Sequence, residues 1–184
     1  MTPRPDQKQD TRRRIVAAAA ARIRDEGLEA PSVAQVMGDA GLTVGGFYAH
    51  FDSRDTLMAE ALAQMLEDQI QRWLEMLPDT GPAERRVQAA RGYLSRHNRN
   101  TGAERCPIPA IASEVERADP RIREVVAAHF DTWVSALTDK DEPDGRRHAL
   151  AAVATMVGAL TLARALGPTP FSDELLAAAK AAIR

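Results

Sequence analysis

Apolar residues in this chain recur every three to four positions, and no run alternates strictly enough to make a strand. Val16, Ala19, Ala20 and Ile23 share one face of a first helix, which Asp10 or Thr11 caps and Gly27 ends. Pro31 and Ser32 open a short second helix, with Val33, Val36, Met37 and Ala40 at i, i+3, i+4 and i+7. Gly41, Leu42 and Thr43 interrupt the pattern, and a third short helix covers 44–51 with Phe47 and Phe51 on its buried side. Ser53 caps a long fourth helix that reaches about residue 77, with Asp55 in its first turn, where an acid suits the helix dipole. Leu57, Ala61, Met65 and Trp73 are among its apolar positions. After a turn at 78–82, helices are expected at 83–98, 107–117, 120–138, 144–166 and 172–183. The fold class read from this pattern is all-α, with about nine helices.

Composition agrees. The 184 residues can bury a core without disulfides. With 45% hydrophobic and 27% charged residues the chain is globular rather than disordered, and abundant alanine with only 4% aromatics favours helix. One cysteine excludes a disulfide framework and a cysteine-based zinc site. No cofactor or metal is expected. The polar, charged N-terminus does not read as a secretory signal, and a cytoplasmic location is expected. Residues 149–163 carry no charge, but the stretch is short, alanine-rich and flanked by Arg146, Arg147 and Arg164, so burial against protein is expected rather than a membrane span.

Net charge is −2, but it is unevenly spread. Residues 1–24 hold Arg4, Lys8, Arg12, Arg13, Arg14, Arg22 and Arg24 against Asp6 and Asp10, a basic end on an acidic body. Such an end serves nucleic acid or is simply a solvated helix face.

Two short helices joined by a three-residue turn containing glycine make a helix-turn-helix. Gly41 supplies the positive φ of the turn, Leu42 plugs the gap, and Thr43 caps the third helix with its hydroxyl and the first amides facing outward, ready for a phosphate. Gly45 and Gly46 permit close backbone approach, although first-turn glycines are also cheap. With Phe47 and Phe51 turned inward, Tyr48, Ala49 and His50 point elsewhere; a hydroxyl and a ring N–H suit phosphate contacts.

Ala40, Gly41 and Leu42, then Gly46, Phe47, Tyr48, His50 and Phe51, then Ser53, Arg54 and Leu57, form a run that resembles the DNA-binding domain of the tetracycline-repressor (TetR) family over roughly residues 10–62. The resemblance implies a flexible basic tail (1–9), a helix-turn-helix domain (10–52) and a helical effector-binding and dimerisation domain (53–184). It implies a homodimer that reads a palindromic double-stranded operator as a ligand-released repressor. Thr43, Tyr48, His50 and Arg54 would hold phosphates, with Ser32 capping the second helix against the backbone. Val44, Gly45, Gly46 and Ala49 would face base edges, by thymine-methyl contact and shape. Many relatives carry a polar or basic residue where Val44 and Gly45 stand; Arg12, Arg13 or the tail would then add affinity through phosphates or the minor groove.

In the remaining half, the helices at 144–166 and 172–183 would pair across the dimer, with Ala152, Thr155, Gly158, Ala159 and Leu162 small or apolar enough for close contact. An unknown small-molecule effector would lie among Met65, Trp73, Tyr93, His97, Cys106, Phe130, Trp133 and Met156, each of which is also a plain core residue. Cys106 just ahead of a proline-started helix has the position of a low-pKa thiol and hence a redox switch, although an inert buried thiol is the favoured reading. Two competing functions are a thiol enzyme using Cys106 with His97 or His129, and a helical interaction protein that does not touch DNA. The chain holds no nucleophile elbow, P-loop, dinucleotide fingerprint or HExxH motif for the first. The basic N-terminus and the 43–51 run argue against the second.

Overall fold

The computed structural model describes residues 5–77, 80–101 and 106–184, with side chains from residue 7 onward; Arg4 of the expected tail lies outside them. Among these residues there are nine α-helices, one 3₁₀ helix and no strand. The chain forms two compact units, Met1–Asp68 with Ile111–Ala127, and Gln69–Ala110 with Ala128–Arg184.

The first unit opens with α1 (Pro5–Glu26), which starts five residues ahead of the expected cap. Proline is well suited to a first helical turn, and Asp10 pairs with Arg13 while the Thr11 hydroxyl donates to the Gln7 carbonyl at 2.8 Å, both within the helix. Ile15, Val16, Ala19, Ala20 and Ile23 form its buried face. In α2 (Val33–Asp39), Ser32 and Gln35 cap each other's backbone reciprocally. Gly41 has φ +68, and in the tight turn the Leu42 amide donates to the Met37 carbonyl at 2.8 Å. The third helix is a 3₁₀ segment, Val44–Ala49. Two glycines in its first turn weaken α-helical propensity, and six residues cannot repay α-nucleation. Phe47 and Phe51 are 1% and 2% exposed and stack at 5.7 Å, as the spacing predicts. Ser53 then caps α3 (Arg54–Met76), its hydroxyl accepting from the Thr56 amide at 3.1 Å.

The second unit holds α4 (Pro82–Tyr93), α5 (Arg96–Asn100), α8 (Gly145–Leu166) and α9 (Pro170–Ala182). Two further helices, α6 (Ile108–Val115) and α7 (Pro120–Leu137), contribute residues to both units, as does α3, whose residues from Gln69 onward belong to the second. The single helix expected at 83–98 is two helices. Ser95 takes an extended conformation and its hydroxyl accepts from the Asn98 amide, starting a new helix where the pattern of apolar residues continues unbroken. α8 packs against α9, α4 and α5. At 22 residues, with a mean hydropathy of 1.8 over its most apolar 18, α8 is long enough to span a bilayer, which corrects the argument from shortness. Its Arg164 guanidinium instead donates inside the protein, to the carbonyls of Cys106 at 2.6 Å and Asn98 at 2.9 Å. Buried Arg86 donates to the Arg184 and Leu137 carbonyls and to Glu142 at 2.7 Å; buried Arg99 donates to Ser172 and to Asp173 at 2.8 Å. Neither arginine was readable as a core residue from its type.

Candidate nucleic-acid interface

The 3₁₀ segment turns its two phenylalanines inward and leaves an outer side bare. Tyr48 is 77% exposed and Val44 48%, and Thr43, Gly45 and Ala49 are exposed beside them. Gly46 and His50 are half-buried. Thr43 is the N-cap residue but its hydroxyl makes no capping bond, so this donor and acceptor is not used by the fold. The Tyr48 ring stands edge-on against Phe47 at 5.2 Å, which stiffens it while its far end projects outward. His50 is held below the ordinary histidine range by burial and by the nearby cations Lys8 and Arg12, so its ring is neutral near pH 7. Its Nδ1 is buried without a hydrogen-bond partner. Thr43, Val44, Gly45, Tyr48, Ala49 and His50 thus sit together on or beside one short rod.

Two expected contributors are engaged elsewhere. The Arg54 guanidinium donates to the carbonyls of Pro31 at 2.9 Å, Leu28 at 2.6 Å and Glu29 at 3.0 Å, and lies 3.6 Å from Asp55. In the free protein its donors serve the loop between α1 and α2. Ser32 is exposed, but its hydroxyl is closed into the capping box with Gln35. The N-terminal basic residues are also largely structural. Arg12 pairs with Glu60, donates to the His50 carbonyl and lies 4.1 Å over the Phe51 ring. Arg14 donates to the Ala40 carbonyl, and Arg22 bridges Asp39 at 2.5 Å and Glu26 at 2.7 Å. Lys8 stays exposed near His50.

The second unit contains an open cleft of about 1060 Å³. Of the expected effector lining, Trp73, Tyr93, His97 and Cys106 face it. Met65 does not: it is buried in the first unit. Trp133 stands behind the cleft, 5.3 Å from Trp73 and 5.1 Å from Tyr93, with Phe130 stacked on it, and Met156 is fully buried in α8. Gln69, Arg72, Arg91 and Asn98 complete the walls; as scattered polar residues on three helices they leave no sequence signal. Burial pushes the Cys106 thiol up, against opposing contacts from Tyr93, the Ile108 backbone, Arg164 and Gln69. Burial prevails over these contacts, the Ile108 backbone at the start of α6 included, so the thiol is not the low-pKa group that its place ahead of the helix suggests.

Residues 15–61 match the family model described as bacterial regulatory proteins, tetR family, and residues 82–179 match the transcriptional regulator LmrA/YxaF-like, C-terminal domain. An uncharacterised HTH-type transcriptional regulator of Mycobacterium tuberculosis is 30% identical over 175 residues, covering 85% of each chain. A TetR transcriptional regulator from Chloroflexus aurantiacus shares the fold with a TM-score of 0.76 at 26% identity, over 97% of this chain and 94% of that one. Reduced NemR from E. coli gives a TM-score of 0.79 at 18% identity, over 95% of each chain. With a bare rod behind a glycine turn at one end and both halves of the chain matched, the protein belongs to the TetR family of transcriptional regulators, DNA-binding helix-turn-helix proteins rather than enzymes.

Proposed function

We propose that this protein is a cytoplasmic, ligand-released repressor that binds a palindromic operator as a homodimer. The observation that carries the reading is the outer side of the 3₁₀ rod, where Tyr48 and Val44 stay exposed although apolar partners surround their neighbours. Thr43, Tyr48 and His50 hold phosphates, and Val44, Gly45, Gly46 and Ala49 approach base edges, where small apolar groups meet thymine methyls and read groove shape. Dimerisation is supported by apolar side chains left outside the packed face of α8, with Leu150, Leu162 and Leu166 at 49%, 56% and 42% exposure, and by Phe171 of α9 at 63%. A monomer rarely leaves so much apolar surface uncovered. A second copy placing the same helices against them gives the two-fold symmetry that a palindrome requires.

The cleft lined by Trp73, Tyr93, His97 and Cys106 is the effector site in this reading. An effector that binds more tightly to the DNA-incompetent dimer weakens DNA binding by the same free energy, through linkage. Titrating the purified protein on the DNA upstream of its own gene tests the reading. A shift at low salt that falls as salt rises supports it, and no shift at low salt overturns it.

A further inference from the structure

The loop between α1 and α2 is gripped from both sides by charged side chains outside the helix-turn-helix. On one side Arg54, the first residue of α3, donates to the carbonyls of Leu28, Glu29 and Pro31. On the other, the Glu114 carboxylate of α6 accepts from the amides of Leu28 at 2.8 Å and Glu29 at 2.9 Å. Leu28 and Glu29 thus have both amide and carbonyl taken by side-chain charges, through bonds stronger than neutral ones. Gly27 makes room for this. It has φ +90, and a Cβ there would stand 2.5 Å from a Glu114 oxygen. Among the described residues nothing else holds these amides, and α2, the next element, leads into the turn and the rod.

We propose that Glu114 and Arg54 are positioning residues for DNA recognition: together they set the angle at which α1 hands the chain to α2, and so the presentation of Val44–Ala49. The proposal rests on the reading of the rod as the DNA-facing surface. Charge alone predicts the opposite sign for Glu114, because removing an acid from a DNA-binding head reduces repulsion from phosphates.

The test uses the full-length protein and a duplex that the wild type selects from a randomised pool, with a scrambled duplex as control. Glu114→Ala is expected to weaken binding to the selected duplex at least tenfold, to leave the scrambled duplex unchanged, and to speed amide exchange at Leu28 and Glu29. Arg54→Ala is expected to cause a similar loss with the salt dependence of binding unchanged. Each lost phosphate contact would instead flatten the slope of log K against log salt by about 0.9. The double variant is expected to lose little more than either single one, since both act on one loop. Glu114→Gln keeps an acceptor oxygen and carries the test if the alanine variant fails to fold, with a smaller loss confined to the selected duplex. Wild-type affinity in the Glu114 variants, or a flattened salt slope in Arg54→Ala, overturns the proposal alone. If the wild type selects no duplex, the DNA-facing reading falls, and this proposal with it.

Discussion

In the unit that carries the rod, α2 has seven residues and the 3₁₀ segment six, too few to bury much apolar surface. Arg12 and Arg14 reach from α1 to the His50 and Ala40 carbonyls at the ends of these short pieces, Arg22 reaches Asp39, and Arg54 reaches from α3 to the loop ahead of α2. The other unit is built from longer helices: α8 alone has 22 residues and buries Ala149, Ala152, Val153, Met156, Leu160 and Ala163. There apolar packing supplies most of the cohesion, two buried arginines lock ends together, and the apolar supply is large enough to leave leucines outside. A basic stretch is therefore a poor signature of DNA contact by itself. In this head much of the positive charge is structural, and the exposed residues of the rod itself, Val44, Gly45, Tyr48 and Ala49, are uncharged.

The largest effect is expected from emptying the core beneath the rod. Phe47→Ala removes a side chain that is 1% exposed and should cost about 3–5 kcal/mol, measured by denaturant unfolding. Loss of DNA binding without that destabilisation would mean that the rod does not rely on its phenylalanines. In the other unit, Leu162→Glu should split the dimer in sedimentation and lower operator affinity roughly 100-fold, because two linked heads are lost to one. An unchanged dimer would place the interface elsewhere.

Tyr48→Ala should weaken binding about tenfold on every sequence, close to 1.4 kcal/mol, whereas Val44→Ala should shift base preference more than affinity. Parallel titrations on a panel of duplexes separate the two. A smaller effect is expected on acid stability in the long-helix unit. Arg96 holds the Asp173 carboxyl below the usual range despite some burial, with Arg99 adding to it. Burial pushes Glu142 up, but Arg86 and His148 outweigh it and hold it low. Both groups bind fewer protons folded than unfolded, so they stabilise above their ordinary values of 3.8 and 4.5 and that stability fades as pH falls through the lowered folded values. Asp173→Asn should make the acid limb of the unfolding curve shallower, as followed by circular dichroism. The smallest effect concerns His50, whose charge is disfavoured in the free protein by burial, Lys8 and Arg12. A phosphate beside it favours protonation, so operator affinity should rise a few-fold from pH 8 to 6, and His50→Asn should flatten that dependence.

How much could be read in advance also differs between the two regions. The head was readable because its instructions are contiguous: the Ser32 capping box, the positive φ at Gly41, the Phe47 and Phe51 pair and the Ser53 cap all act within a few residues of themselves. What was not readable in the same region depends on distant partners. Arg54 has the right type and position for a phosphate but reaches back across 23 to 26 residues to three carbonyls. The cleft was half readable for a related reason. Aromatic and sulfur residues on amphipathic helices line a hollow or fill a core with the same spacing, and Trp73 and Trp133 fell on opposite sides of that choice.

Periodicity, caps and turn residues, all local in origin, determined the all-helical class, the order of the elements and the place of the exposed rod. The folded chain alone settled which charges are used internally and which wall is hollow. Hydrogen bonds and burial join residues far apart in the sequence, as between Glu114 and Leu28, and no local pattern encodes such a pairing.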